Sequence, residues 1–175
     1  MKSIKLLSMA LGLVLATSFV VNAQQKIGYV SVDAIVGNLP EIKDVQAKLD
    51  KFRIDSLGGE YDRLAAEISR KDSIVKNTTV KQVKETAQKD LNDLVMTQAN
   101  WNNIANEAFQ AKQGELLSPL YKKAMDAVNA VAKEKNYAYI LDPQALIVAP
   151  PGDNITEAVA TKLGIKLPTN PNAAK

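Results

Sequence analysis

Side chains that commonly carry catalysis are scarce in this sequence. The 175 residues include no histidine, which removes the commonest acid–base group and the commonest transition-metal ligand, and no cysteine, which excludes a disulfide. Asp33, Asp142 and Asp153 lie near the ends of predicted strands, but without a partner side chain they are better explained as turn and cap residues. We find no phosphate-binding glycine loop, nucleophile elbow or metal-ligand cluster. The sequence therefore argues against an enzyme and predicts no metal and no cofactor.

Binding of apolar surface is the second kind of chemistry that the sequence offers. A stripe of large apolar side chains recurs at helical spacing through the middle of the chain. The candidate binding residues on it are Phe52, Leu57, Tyr61, Leu64, Ile68, Leu94, Trp101 and Phe109. The alternative is that these side chains pack two helices together, as such stripes usually do. Asn100, Asn102, Asn103 and Asn106 surround Trp101 and predict imperfect packing, so both interpretations can hold.

Positive charge is concentrated between residues 70 and 89. Six basic side chains in this stretch face only two acidic ones, Asp72 and Glu85, for a net charge of +4. The basic residues, here named the basic tip, are Arg70, Lys71, Lys76, Lys81, Lys84 and Lys89. One interpretation is contact with anionic lipid headgroups or with an acidic partner. The other is an ordinary solvated helix surface, since exposed charge is the default for a protein surface.

Residues 1–23 have the three parts of a secretory signal. Lys2 and Lys5 precede an apolar stretch that reaches Val21, and a small-residue cleavage site predicts Gln24 as the first mature residue. A retained membrane anchor is disfavoured because polar residues interrupt the apolar run. Removing two lysines from 22 basic residues leaves 20 against 19 acidic ones, a net charge of +1. The sequence thus predicts a soluble periplasmic protein and does not predict nucleic-acid binding.

Two long helices must position the apolar stripe. No proline occurs between Pro40 and Pro119, and strong helix formers dominate this stretch. The stripe slips in phase beside Gly58 and Gly59, which indicates a bend, a site of local unfolding or a tolerated surface pair. A capping pattern at residues 79–82 predicts the start of the second helix, antiparallel to the first. Pro119 should kink that returning helix, so Gly58, Gly59 and Pro119 are candidate hinge residues.

The flanking segments predict strands at residues 26–32, 137–141 and 146–148, with an Asp142–Pro143 turn between the last two. A capping pattern at residues 154–157 predicts a short helix that Gly164 ends. The expected fold is α+β, with a long antiparallel helical hairpin inserted in a small β-strand body. The predicted hairpin spans residues 41–119, the body residues 24–40 and 120–167, and a loose tail residues 168–175. Three short strands leave exposed edges, which predicts self-association.

These segments resemble the Skp/OmpH family of periplasmic chaperones. Residues 26–49 look like the family's first strand, turn and helix start. Residues 116–148 are similar to its leucine–proline step, its alanine–valine helix and its strand ending in aspartate. Asp153–Asn154–Ile155–Thr156, followed by Leu163–Gly164–Ile165, resembles its closing helix. The resemblance covers nearly the whole mature sequence, while the hairpin has the family's character without a specific motif.

The resemblance implies a homotrimer whose hairpins project as tentacles around a cavity. Family members hold unfolded outer-membrane proteins there without ATP, and they have no catalytic residues to carry over. A basic tentacle tip is typical of the family, and residues 70–89 fit that position. The alternative hypothesis is an envelope adaptor that docks one folded partner through its hairpin. Such an adaptor would be expected to have a regular helical seam, which the phase slip argues against.

Overall fold

The computed structural model describes residues 25–168, and most of them are helical. The predicted signal segment with its cleavage site before Gln24, and the chain after Pro168, lie outside the described residues. The elements in chain order are strand β1 (Ile27–Tyr29), helices α1 (Val32–Gly37) and α2 (Ile42–Lys51), a π-helical segment (Phe52–Gly58), helices α3 (Gly59–Asn77), α4 (Lys81–Ala99) and α5 (Trp101–Glu134), strand β2 (Tyr139–Leu141), 3₁₀ turns at Pro143–Ala145 and Pro151–Asp153, and helix α6 (Thr156–Lys162).

The two strands form a small parallel pair, with Gly28 opposite Ile140. All of the long helices lie between these strands in the sequence. Gly28 is required by close packing, because a Cβ atom there would lie 2.7 Å from Cε1 of Tyr137. On the other side of β1, the amide of Ile155 donates to the carbonyl of Tyr29 at 2.9 Å. The chain after β2 therefore returns to cover the free edge of β1.

The first predicted strand is shorter than expected, because the chain turns into a helix that the sequence did not reveal. β1 ends at Tyr29, and Ser31 is the N-cap of α1, with its Oγ accepting a hydrogen bond from the amide of Ala34. A capping hydroxyl satisfies an amide that a helix start leaves unpaired. This local hydrogen bond outweighs the strand preference of the neighbouring valines. It allows α1 to bury Ile35 and Val36.

The predicted third strand, residues 146–148, is wrong. The Asp142–Pro143 turn is confirmed, since the Asp142 side chain accepts from the amide of Gln144 at 2.7 Å. After this turn the chain stays irregular, and Ile147 and Val148 are 102% and 81% exposed. One edge of β1 is occupied by β2 and the other is bridged by Asn154. Among residues 25–168, neither edge of β1 is therefore open to this strand-like sequence.

The hydrophobic core lies where α1, α2, α5 and α6 meet. Along α5, steps of three and four residues bring one face toward this core from Leu120 to Val131, as an amphipathic helix requires. Val45 and Leu49 of α2 belong to the same core, so the base of the helical region is anchored in the body. The buried apolar side chains of the core are Val30, Ile35, Val36, Leu39, Val45, Leu49, Leu120, Ala124, Ala127, Val128, Val131, Ile155 and Val159.

The long helices form two limbs that lie beside each other. The first limb consists of α2, the π-helical segment and α3, and the second consists of α4 and α5. α3 packs against α4, and the short connection between them consists of residues 78–80. Nearer the body, α2 and the π-helical segment pack against α5. An ion pair between Lys71 and Asp90 joins α3 to α4 close to the connection. No helix among residues 25–168 combines the length and apolar character that a membrane span needs.

The phase slip beside the glycine pair has a structural cause. The chain forms a seven-residue π-helix from Phe52 to Gly58, so it is not unfolded there. A π-helix takes more residues for each turn than an α-helix, so the apolar stripe changes phase without a break in the helix. Gly58 and Gly59 have helical backbone angles, with φ of −61° and −62°. The sequence located this irregularity but did not identify its form.

Helix ends agree only in part with the capping patterns. The pattern at residues 79–82 does not form, because Val80 is the N-cap of α4 and its amide donates instead to the Thr78 hydroxyl. At α6, the Asn154 side chain accepts from the amide of Thr156, and the reciprocal bond of a capping box is not made. The helix ends before Gly164, whose φ of 70° confirms the predicted glycine stop. α5 continues through Pro119, and the predicted kink there stays a prediction.

Candidate binding groove

An open groove lies between the two helical limbs near the π-helical segment. Its volume is about 610 Å³, in the range of sites that bind small molecules or a few side chains. Leu57 and Tyr61 line it from one limb, and Trp101 and Phe109 from the other. The structure thus brings four of the eight predicted apolar binding residues into one site, here called the hairpin groove.

Two aromatic rings meet in the hairpin groove. The ring centres of Tyr61 and Trp101 are 5.8 Å apart, and the ring planes are tilted by 52°. This is a favourable aromatic pair, because rings prefer tilted contacts to face-to-face stacking. The Tyr61 hydroxyl accepts a long hydrogen bond of 3.5 Å from Nε2 of Gln98. Tyr61 remains 39% exposed, so the pair leaves apolar surface open to a ligand.

The other four predicted apolar residues are placed differently. Leu64 lines an adjoining hollow that shares Trp101 with the groove. Phe52, Ile68 and Leu94 are half-buried along the limbs and do not line the groove. Client binding by these three residues stays a prediction, with packing between the helices as the alternative.

The groove also has polar walls that the sequence did not assign to a site. Arg53 lies at its edge and forms an ion pair with Asp50 at 3.0 Å. Asn102 and Asn106 line it from α5, four residues apart on one helix face. From the sequence alone, these amides were interpreted as interruptions of the apolar seam between the helices. Their four-residue spacing was the signal that could have placed them together on one helix face. The groove is therefore amphipathic and not purely apolar.

The basic tip is less positive in the structure than the sequence indicated. Arg70 pairs with Glu67 and Lys71 with Asp90, two acids that lie just outside the stretch counted above. Counting them gives six basic against four acidic side chains, a net charge of +2. The hydrogen bond from Arg70 lowers the pKa of the Glu67 carboxyl and raises the pKa of the guanidinium. The charge of +4 holds for residues 70–89 alone, and acids of the same helix and of the second limb lie against part of the basic tip.

Of the other four lysines of the basic tip, two form ion pairs and two form none with any residue between 25 and 168. Lys76 pairs with Asp72 at 2.6 Å, and Lys81 lies 3.9 Å from Glu85. Lys84 and Lys89 form no ion pair with any residue between 25 and 168. Both are exposed on α4. The positive surface at this end is therefore smaller and lies on one limb.

The body carries a second exposed apolar surface. Beside β2 lies a hollow of about 490 Å³, lined in part by Met125, Tyr139 and Leu141. Tyr139 is 53% exposed, and Ile147 and Val148 of the following loop face solvent completely or nearly so. We call these five residues the body patch. In the part of the chain that the structure describes, no group of three or more acidic side chains could hold a metal ion.

The fold and the sequence can be compared with those of known proteins. The sequence model of the family described as outer membrane protein (OmpH-like) matches residues 26–163, which is most of the chain. The chain belongs to the OmpH-like family. Its match runs from β1 through both helical limbs to α6, so the grooved hairpin and the body are both parts of the family's fold.

One relative and one solved structure are similar to this chain. "Chaperone protein Skp" of Pectobacterium atrosepticum is 28% identical over 159 residues, covering 85% of this chain and 92% of that protein. The crystal structure described as "a putative outer membrane chaperone (OmpH-like)" from Caulobacter crescentus CB15 has a TM-score of 0.52 with 23% identity, covering 83% of this chain and 89% of that one. The second similarity shows a shared fold. Together with the family match, the first places this OmpH-like chain among chaperones.

Proposed function

We propose that this OmpH-like protein is a periplasmic holding chaperone that binds unfolded outer-membrane proteins without ATP and prevents their aggregation. The observation that carries this proposal is the open hairpin groove, which presents aromatic rings to solvent within a chaperone-family fold. Its function requires no catalytic group. The signal segment, residues 1–23, would direct export and be removed before Gln24.

The groove has the properties that a holding site needs. A chaperone of this kind must bind many different non-native segments, so its contacts must be individually weak and tolerant of sequence. Leu57, Tyr61 and Phe109 offer apolar contact, while the polar walls keep the two limbs from closing on each other. Several such arms around one client would raise the total affinity through their effective concentration.

The arms would be brought together by the body. We propose a homotrimer in which the body patch is covered by neighbouring subunits, with the hairpin, residues 41–119, projecting from the body segments 24–40 and 120–167. Exposed Ile147 and Val148 support this assignment, since contiguous exposed apolar surface marks interaction sites. Lys84 and Lys89 at the far end are proposed contacts for anionic lipid headgroups.

The proposal can be tested with an unfolded β-barrel outer-membrane protein diluted from urea, followed by light scattering. A threefold excess of this protein over client, without nucleotide, should suppress most of the aggregation. Trp101→Ser should weaken the suppression, because it removes a ring from the groove. Met96→Ser is the matched control, since Met96 is 70% exposed on α4 and does not line the groove. Unchanged aggregation with the wild-type protein would refute the holding function.

The adaptor hypothesis predicts different binding partners in the cell envelope. A pull-down from envelope extract should recover a set of barrel proteins if this protein is a holding chaperone. Recovery of one folded partner in fixed stoichiometry would favour the adaptor instead.

A further inference from the structure

The second limb forms one wall of the hairpin groove. The side chains of this wall lie in two rows. Three carboxamides line this wall at intervals of four residues: Gln98 at the end of α4, and Asn102 and Asn106 in α5, beyond the break between the helices at Asn100. The second row consists of Trp101, Ala105 and Phe109, with the same spacing. Neighbouring residues on a helix are about 100° apart, so the two rows run side by side along the groove.

The spacing of the amide row is close to that of an extended polypeptide. Four helical residues rise about 6 Å, and two residues of an extended chain span about 6.6–6.8 Å. In an extended chain, every second residue directs both its N–H and its C=O toward the same edge. A carboxamide carries one acceptor oxygen and two N–H donors, so it can pair with both groups at once. Asn102 and Asn106, on one helix, can therefore follow the edge of an extended segment with a mismatch that side-chain rotation absorbs, and Gln98 lies beyond the break at the end of α4.

The amides of this row are available for such pairing. The side chains of Asn102 and Asn106 form no hydrogen bond with any residue between 25 and 168, and both are exposed. Gln98 makes only the long bond to the Tyr61 hydroxyl at 3.5 Å. By contrast, Asn103, which does not line the groove, donates to Asn100 at 2.7 Å. Asn102 and Asn106 thus offer hydrogen-bonding groups to a ligand in the groove.

We propose that the amide row pairs with the backbone of an extended client segment, while the apolar row receives its alternate side chains. This inference rests on the proposed holding function and names what the groove recognises: a polypeptide whose backbone groups are unpaired. In a folded β-barrel the same N–H and C=O groups are bonded to neighbouring strands. Recognition of backbone therefore separates unfolded from folded client without requiring any particular sequence.

Trp101 allows a direct test, because it is the only tryptophan of the chain and lies in the groove. The probe is a Trp-free, lysine-flanked peptide of ten residues with tyrosine at alternate positions, titrated against intrinsic tryptophan fluorescence. The peptide should change the emission of Trp101 and yield a dissociation constant. The same peptide with its central backbone N–H groups methylated should bind about tenfold more weakly, because two or more hydrogen bonds are lost.

The variant Asn102→Leu/Asn106→Leu separates this proposal from purely apolar binding. Leucine has nearly the shape of asparagine but no amide, and it is the better helix former. Backbone pairing predicts binding weaker by about tenfold, since each lost hydrogen bond is worth a factor of about 2–10. Apolar binding predicts affinity that is equal or higher. Gln110→Leu/Gln113→Leu, at exposed positions of α5 outside the groove, should leave the affinity unchanged.

The outcome for the amide row is distinguishable from the outcome for the holding function. If the wild-type protein prevents aggregation but the leucine variant binds the peptide as tightly, or methylation has no effect, the amide-row proposal is wrong and holding stands. If the wild-type protein neither prevents aggregation nor binds the peptide, both are wrong. Circular dichroism of the two double variants confirms that their helices are intact.

Discussion

Glu41 and Lys123 form an ion pair that joins the start of α2 to α5. One carboxylate oxygen of Glu41 accepts from the lysine ammonium, and the other is buried without a hydrogen-bond partner among residues 25–168. The bond from Lys123, followed by the bond from its own backbone, lowers the pKa of Glu41 below its ordinary value of 4.5. This residue therefore makes the stability of the body depend on pH.

Glu41→Gln should lower the free energy of unfolding at pH 7, because the ion pair is lost. A carboxyl whose pKa is lowered by folding stabilises the protein above pH 4.5, and that contribution disappears as the pH falls through the folded-state pKa. The difference between variant and wild type should therefore shrink below pH 4.5. Urea unfolding followed by circular dichroism at pH 7 and pH 3 measures it. Glu107→Gln, at an exposed residue of α5, is the control, and a difference independent of pH would contradict this account.

At the scale of elements, the π-helical segment places the hairpin groove. It ends at Gly58, which itself lines the groove, so the change of helical phase and the opening between the limbs coincide. π-helical turns are often found at functional sites. That Gly58 and Gly59 act as a hinge stays a prediction. Substitution can test it, because the structure has room for a Cβ atom at both positions.

Gly58→Ala/Gly59→Ala should fold and be more stable by about 1 kcal/mol for each replacement, because glycine costs a helix conformational entropy. An added Cβ at Gly58 would lie 3.7 Å from the carbonyl oxygen of Arg53, an ordinary contact, and at Gly59 it would meet nothing within 4 Å. If the pair is a hinge, client release in stopped-flow measurements should become slower. Unchanged binding and release rates would reduce the pair to a tolerated irregularity of the helix.

At the scale of the whole molecule, the body patch is an apolar surface that the described part of a single chain leaves exposed. The described core is small and lies at one end of two long limbs. Burial of Tyr139, Ile147 and Val148 against other subunits would enlarge it at the place where strand-like sequence has no partner strand among residues 25–168. The proposed trimer therefore depends on these side chains more than on the limbs.

Ile147→Asp/Val148→Asp should convert the proposed trimer into monomers, because charges would then have to be buried between subunits. Size-exclusion chromatography with light scattering measures the mass. The helix content should not change, since both side chains are exposed in the single chain. Val80→Asp, at a 57% exposed valine in the connection between the limbs, should leave the assembly intact. A wild-type protein that is already monomeric would overturn the trimer itself.

Features that depend on a few neighbouring residues could be predicted from the sequence. The helical spacing of apolar residues, the phase slip beside Gly58, the Asp142–Pro143 turn and the glycine stop at Gly164 are all consequences of local hydrogen bonding and backbone preference. The resemblance of residues 26–49 and 116–148 to a chaperone family was also present in the sequence and is confirmed by the family match.

Features that depend on distant residues were decided only by the tertiary structure. Residues 146–148 have strand-like composition but stay irregular, and the edge of β1 that β2 leaves free is bridged by Asn154. In the sequence, Lys71 counts toward a positive tip. In the structure, it forms an ion pair with Asp90 of the other limb. Asn102 and Asn106 read as defects in a seam, yet they become walls of a groove when Leu57 and Tyr61 are brought opposite. For Lys71 and for the two asparagines the deciding partner is remote in sequence, and local pattern carries no information about which remote group arrives.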